Sequence, residues 1–429
     1  MTKNRRAKNI ARTRAQETGE KYTTAHAATY NAVETNTQRL VALVRAGAER
    51  RYGHTLPTDV RKRLNFEMSH IKDAGVVDHY LTLHDIAQAA RQRNILLSSG
   101  RGSSPGSAVL YSLGVTGVDP IKANLLFERF VAIGRYDFPD VAFDVQKSRT
   151  DQMQEYISST YDAAQQDAVL HKVSITGSEP LNIGFTRDSR LDHIARTAAL
   201  IEERTGTPID VDSILAHSNL NDAYAKKTWE AIAAGDTDGC WFLESAGMKD
   251  FAVRAKPSSL SDLAGMVALY RPAPIHNGLF DLYVSRTGSD VYDYSNITTD
   301  PAERAVIAST LDETRGVWTY QEQVMRLGAT VAGFNVAGTD KLRRAVAKND
   351  PVFWAEMQDA FRFGAGMSAT SDGTPKLSFS EETAANLLAA MQEHASSLFN
   401  ASHAYATAQT LFAIAYLKAN WPDEFTETA

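Results

Sequence analysis

Residues Ser99–Asp144 read SGRGSSPGSAVLYSLGVTGVDPIKANLLFERFVAIGRYDFPDVAFD, and no other stretch restricts the fold as much. Asn94–Leu97 is short and apolar, so it is expected to be a strand feeding a Gly/Ser loop at Gly100–Ser107. The apolar run Ala108–Leu113 should continue the loop as a helix. Small residues let main-chain N–H groups approach phosphate oxygens closely, and a helix start adds a favourable dipole. The spacing is neither that of a Walker A loop nor that of a dinucleotide fingerprint.

Phe138–Val145 should be a second strand. Side chains alternate faces along a strand, so Asp140, Ala142 and Asp144 share one face while Val141, Phe143 and Val145 face the core. A D-x-D pair on one face, joined by a third carboxylate, could hold two Mg²⁺ ions about 3.5–4 Å apart. Here Ala142 interrupts the pair. Arg129 lies between loop and strand, and Lys341–Lys348 (KLRRAVAK) sets several cations within two helical turns. Both are candidate phosphate ligands, although a solvated helix face explains the second equally well.

The 429 residues suffice for two or three structural units. With 43% hydrophobic and 22% charged residues, and no apolar run of bilayer length, the composition is that of a globular protein without a membrane partner. The single cysteine, Cys240, excludes an intramolecular disulfide and a cysteine-based zinc site, and suits a reducing cytoplasm. The basic opening has neither the apolar core nor the cleavage site of a secretory signal. The net charge of -6 hides an asymmetry: residues 1–100 carry 17 Lys/Arg against 9 Asp/Glu, enough for a face that binds a phosphate backbone.

Apolar spacing predicts helices over 29–52, 59–71 and 84–93, then a mostly helical module from 150 to about 235 with a weak stretch at 174–190. Thr237–Gly247 and Met266–Phe280 read as strand-compatible. Beyond Gly288 the pattern is helical at 302–311, 320–332, 340–348, 352–363, 380–395 and 402–420. Irregular alternation of this kind indicates an α+β fold.

In order along the chain, these segments resemble the catalytic core of C-family DNA polymerases, the family of the bacterial DNA polymerase III alpha subunit. GRGSSPGS resembles its GRGSxxGS loop, Asp119-Pro120 with Leu125–Phe130 its DP…LLFERF, and Phe138–Val145 its MPDxDxDF strand. Phe242–Asp250 resembles FQLESxGMKD and Ala268–Pro274 resembles ALYRPGP, with Asp281 at the spacing of the third catalytic aspartate. Tyr320–Met325, Leu342–Ala345, Phe399–His403 and Ala415–Ala419 complete the set. The resemblance implies a polymerase-β-like nucleotidyltransferase palm (29–149 and 236–287) behind a basic arm (1–28), with an inserted thumb (150–235) and helical fingers (288–429). It further implies that Gly102, Ser103, Arg129, Arg343, Arg344, Lys348 and His403 contact the incoming dNTP. Asp140 and Asp281 would hold Mg²⁺, or Mn²⁺ in its place, and primer-template DNA is the expected macromolecular partner.

Three departures qualify the resemblance. Ala142 occupies the position of the second catalytic aspartate, and Asp144, about 7 Å along the strand, is a poor replacement. Ala401 replaces a lysine common in the fingers motif. The phosphoesterase domain of the cellular enzymes and their clamp-binding modules have no counterpart here, as in a minimal bacteriophage-like form acting in a bacterial host cytoplasm. The first expectation is a template-dependent DNA polymerase inactivated by an engineered Ala142. The alternatives are a naturally inactive relative serving as a DNA-binding accessory protein, and a nucleotidyltransferase with a different template rule.

Overall fold

The computed structural model describes residues 12, 15–16, 19, 21–131, 141–161, 172–177, 179–217, 220, 222–348, 350–370 and 372–429. The expected catalytic Asp140 and the strand start at 138–140 lie outside them. The chain divides into two compact units, residues 1–127 with 136–192, and residues 128–135 with 193–429.

In the first unit, helices α1 (Tyr22–Tyr52), α2 (Thr58–Ala74) and α3 (Val77–Gln92) surround the short α4 (Ala108–Leu113). α2 buries Val60, Leu64 and Ile71 on one stripe, and Glu67 stands on that same stripe. Gly75, at φ 69, ends the helix in the left-handed conformation and returns its N–H to Ile71 and Lys72. α1 approaches α4 so closely that a Cβ on Gly47 would lie 1.8 Å from the Ser112 carbonyl oxygen. β1 (Val141–Gln146), α5 (Thr150–Thr160), β2 (Lys172–Gly177) and β3 (Glu179–Asp188) follow, and α6 (Ser189–Thr205) leads out of the unit.

The sheet has the order β1-β3-β2, with β1 parallel and β2 antiparallel to β3. Phe143 and Phe185 are register partners whose rings stack 5.6 Å apart. Such a pair adds about 0.5–1.5 kcal/mol to its area burial. The weak stretch at 174–190 is therefore a β-hairpin that turns into α6. The strand expected at Asn94–Leu97 shortens to a single antiparallel bridge, Leu97 to Val145, flanked by backbone hydrogen bonds between Ser98 and Asp144 and between Gln146 and Leu96.

The second unit is helical among its described residues: α7 (Val211–Leu215), α8 (Asp222–Ala233), α9 (Ala246–Ala255), α10 (Leu260–Leu269), α11 (Pro272–His276), α12 (Leu279–Ser285), α13 (Pro301–Leu311), α14 (Gln321–Thr330), α15 (Val336–Ala347), α16 (Pro351–Gly366), α17 (Glu381–Glu393), α18 (Ala401–Asn420) and α19 (Pro422–Glu427). α18 packs against α7, α8 and α10. Its buried Ala404, Ala408 and Ala413 admit close neighbours, and apolar residues cover it all round, as a central helix requires. A second core joins Trp318, Val324, Leu342, Phe361 and Leu387. Helix starts follow side-chain chemistry: Ser245, Ser259, Asp300, Asn335, Asp350, Ser380 and Asn400 each cap a helix through a side-chain oxygen.

Two strand expectations fail here. Thr237–Gly247 holds the 3₁₀ turn Trp241–Glu244 and the start of α9, and Met266–Phe280 runs through α10, α11 and the start of α12. Leu263–Leu269 is buried on every side, and an unbroken apolar run has the same composition in a buried helix as in a buried strand. No helix among the described residues is long and apolar enough to cross a membrane.

Candidate active site

Ser99 leaves the Leu97 bridge, and its carbonyl accepts from Gly117 N at 3.0 Å. The loop then turns at Gly100 (φ 117) and Gly102 (φ 63), conformations that suit glycine. A Cβ at Gly102 would meet nothing within 4 Å, so one face of the loop stands open there. Ser103 begins the turn into the 3₁₀ segment Ser104–Gly106, its carbonyl accepting from Gly106 N at 3.0 Å.

Beyond that segment the structure departs from expectation. The N-terminus of α4 is closed to any phosphate because Glu67 already occupies it. Ala108 N (2.9 Å) and Val109 N (3.0 Å) donate to the Glu67 carboxylate, as does the Ser107 hydroxyl (2.7 Å). Leu110 N goes to Ser107 Oγ and Tyr111 N to Ser107 O, so all four initial amides of the helix are satisfied. Arg63 pairs with Glu67 at 2.6 Å and donates to the carbonyls of Gly106 (2.7 Å) and Leu125 (2.9 Å). Burial pushes the Glu67 carboxyl above its ordinary range, against the pull of Arg63 and the three donors. This clamp was not anticipated from sequence. Its signal is the carboxylate at the third place of the Val60, Leu64, Glu67, Ile71 stripe, with Arg63 one turn before it.

On β1, Ala142 stands opposite Gly184 and Asp144 opposite Thr186. Asp144 is buried and committed: Arg101 Nη1 donates to its Oδ1 at 3.1 Å and Ser98 Oγ to its Oδ2 at 3.3 Å. Arg101 also reaches Thr186 Oγ1 at 3.3 Å. Asp144 therefore ties the Gly/Ser loop to the sheet. Ala142 supplies no donor atom to a metal, and the described residues contain no group of three or more ligating side chains. The donor set among the described residues does not fit a pair of divalent ions.

In the second unit a group of charged side chains gathers around Arg129. Gln321 Oε1 accepts from Arg129 Nε (3.1 Å) and Nη2 (3.0 Å). Burial, and then the neighbouring charge of Arg343, hold the Arg129 guanidinium below its ordinary range, while Glu322 and Asp340 act in the opposite sense. Arg343 donates twice to Asp340 Oδ1, at 3.0 and 2.7 Å. Arg344 approaches Asp340 Oδ2 at 3.1 Å as an ion pair without hydrogen-bond geometry. Lys348 caps the end of α15 and, with Lys341, Arg344, Asp350 and Phe353, lines a cavity of about 400 Å³. α15 thus divides the expected cations, with Arg343 among the Arg129 group and Arg344 and Lys348 beside the cavity.

Glu322 is buried, accepts from Ala401 N at 3.0 Å, and keeps Oε1 without a hydrogen bond. Its carboxyl is pushed above the ordinary range by burial. A parallel bridge between Tyr320 and Phe399 brings α14 beside the start of α18. There His403, whose N–H is capped by Asn400, lies 5.6 Å from the Phe399 ring. Arg271 stacks on Phe399: its guanidinium is 4.6 Å from the ring centroid, and its hydrogen bonds go to the carbonyls of Ala268 and Ser397. Asp281 is on α12, exposed, and paired with Arg254 at 3.0 Å.

Residues 38–228 match the family model "Bacterial DNA polymerase III alpha NTPase domain", and residues 190–368 match "Bacterial DNA polymerase III alpha subunit finger domain". The chain belongs to the C family of DNA polymerases. Among its relatives, the DNA polymerase III subunit alpha of Bacillus subtilis is 28% identical, over 84% of this chain and 40% of its own length. That of Aquifex aeolicus is 25% identical over 85% and 41%, and that of Escherichia coli 23% over 90% and 42%. The chain thus spans about two fifths of the length of these C-family relatives. His403 lies beyond the residues matched by either family model.

Proposed function

We propose that this C-family chain is a template-dependent DNA polymerase core whose nucleotidyl transfer is suppressed by Ala142. The observation that carries the reading is the Arg129 group, a partly desolvated guanidinium held beside Arg343 that gains from the arrival of an anion. The tandem family matches support the same class of chemistry. In this reading 29–149 and 236–287 form a polymerase-β-like palm, 150–235 the thumb and 288–429 the fingers. Primer-template DNA and a dNTP are the substrates, and the bacterial cytoplasm is the setting.

The residues assigned to the triphosphate are Gly102, Ser103, Arg129, Arg343, Arg344 and Lys348. His403 contacts the nucleotide. Arg129 is oriented by Gln321 Oε1, and Arg343 by Asp340, so both guanidinium planes are set before a ligand arrives. Asp140 and Asp281 are the remaining candidate ligands for Mg²⁺ or Mn²⁺. Such ions, when bound, neutralise phosphate charge and lower the pKa of an attacking hydroxyl. Asp281 must exchange its Arg254 pairing to take part, and its exposure permits this.

Primer extension on a defined template, comparing the chain with its Ala142→Asp form, tests the reading. Templated synthesis that appears or rises steeply with Asp supports it. Absence of synthesis in both, with DNA binding intact, favours a DNA-binding accessory protein, the reading to which Ala142 itself lends weight.

A further inference from the structure

The Gly/Ser loop has two ends, and the structure treats them differently. At Gly102 a Cβ would meet nothing within 4 Å. At Ser107–Val109 every donor is taken internally: Ser107 N goes to the Ser104 carbonyl, and the Ser107 hydroxyl, Ala108 N and Val109 N go to a carboxylate from α2. A buried carboxylate is costly unless it is paired and hydrogen-bonded. Here it has an arginine and three donors, and that arginine also grips Gly106 and Leu125. The Arg63–Glu67 pair therefore fixes the loop from behind at Gly106, Ser107, Ala108 and Val109, one 3₁₀ turn away from Ser103.

We propose that Glu67 is a positioning residue for triphosphate binding: it holds the closed end of the Gly/Ser loop so that the open end presents Gly102 and Ser103 in one arrangement. The assignment rests on the reading that this loop meets the triphosphate. Glu67 touches no ligand; it acts through Ser107 and α4. Two consequences follow from the donor inventory. The α4 dipole is spent on Glu67 and is unavailable to phosphate. An amide in place of the carboxylate leaves one acceptor where the structure uses two oxygens, and turns an N–H₂ group toward N–H or O–H donors. The loop then loses a fixed reference without losing any group that faces the ligand.

The test is a titration of the intact chain, bound to a dideoxy-terminated primer-template, with the templated dATP and Mg²⁺. Affinity for the primer-template itself is measured in parallel. Glu67→Gln is expected to weaken dATP binding about tenfold while primer-template affinity stays within about twofold. Ser107→Ala, which removes one donor and the α4 cap, is expected to weaken it about threefold. Glu67→Gln binding dATP as the unaltered chain does overturns the assignment, as does a parallel loss of dATP and DNA, which marks a general structural role. If Glu67→Gln does not fold, Ser107→Ala reads the same contact, and unchanged dATP affinity there overturns it. An unaltered chain that binds DNA but no dATP overturns the triphosphate reading and this assignment together.

Discussion

Arg129 and Gln321 are 192 residues apart in sequence and share two hydrogen bonds, 3.1 and 3.0 Å, through one amide oxygen. The guanidinium is thereby oriented by a neutral partner, and its charge is left for something else. Arg129→Ala should lower dNTP affinity about tenfold or more, and Gln321→Ala about threefold, because the second removes orientation and keeps the charge. Equal losses in nucleotide titrations would contradict this division.

Ala142→Asp places a carboxylate on the β1 face opposite Gly184. Primer extension should rise on the order of 10³-fold, and Asp281→Asn in the same background should cancel the gain. A rise that survives Asp281→Asn would remove Asp281 from the catalytic set.

Asp144 should behave as a structural residue. Asp144→Ala strands Arg101 and Ser98 and should cost about 1–3 kcal/mol of stability, read as a lower midpoint in urea. The lower half of that range applies, since the Arg101 side chain is 47% exposed. In the Ala142→Asp background its effect on turnover should be no larger than its effect on stability explains.

Gly47→Ala sets two effects against each other. Helix propensity favours alanine by about 1 kcal/mol. A Cβ 1.8 Å from the Ser112 carbonyl oxygen requires α1 and α4 to separate, and overpacking of that kind costs about 1–3 kcal/mol or more. The net result should be destabilising, and urea denaturation gives the sign directly.

Burial pushes the Cys240 thiol up to about 12. A raised thiol favours the protonated folded state, so its contribution to stability is intact below the ordinary thiol range and is lost as pH climbs toward 12. At pH 8 the folded chain should be inert to a thiol reagent and react at once in denaturant. Fast labelling of the native chain would show that this part of the second unit opens readily.

Much of the frame was legible in sequence. Gly100–Ser107 is a loop entering a helix, Val141–Gln146 is a strand whose Val141, Phe143 and Val145 are buried as expected although Asp144 and Gln146 are buried too, and the late helices 302–311, 352–363 and 402–420 match α13, α16 and α18 within a few residues. The Met266–Phe280 reading failed because residues buried on all sides carry no periodicity. The dipole argument for Ala108 failed for a different reason: a local pattern cannot show that Glu67, forty residues earlier, fills the helix end. Distance along the strand makes Asp144 a poor replacement, but strand alternation gives only its face and says nothing of Arg101 arriving from the loop. Register between β1 and β3 was equally hidden, since a parallel partner is distant by construction.

That parallel pairing governs the order in which the chain can fold. β1 ends at Gln146, and its partner runs to Asp188. A chain growing from its N-terminus makes α1, α2, α3 and the Glu67 clamp from local or early material, yet the strand bearing Ala142 has only the short bridge at Leu97 on one side and lacks its full-length partner until β3 exists. Until then its edge is exposed, apolar at Val141, Phe143 and Val145, and able to pair with another nascent copy. Closing a three-stranded sheet through a non-local parallel pairing should therefore be the slow and aggregation-exposed step in making this protein, whose regular structure is otherwise helical among the described residues.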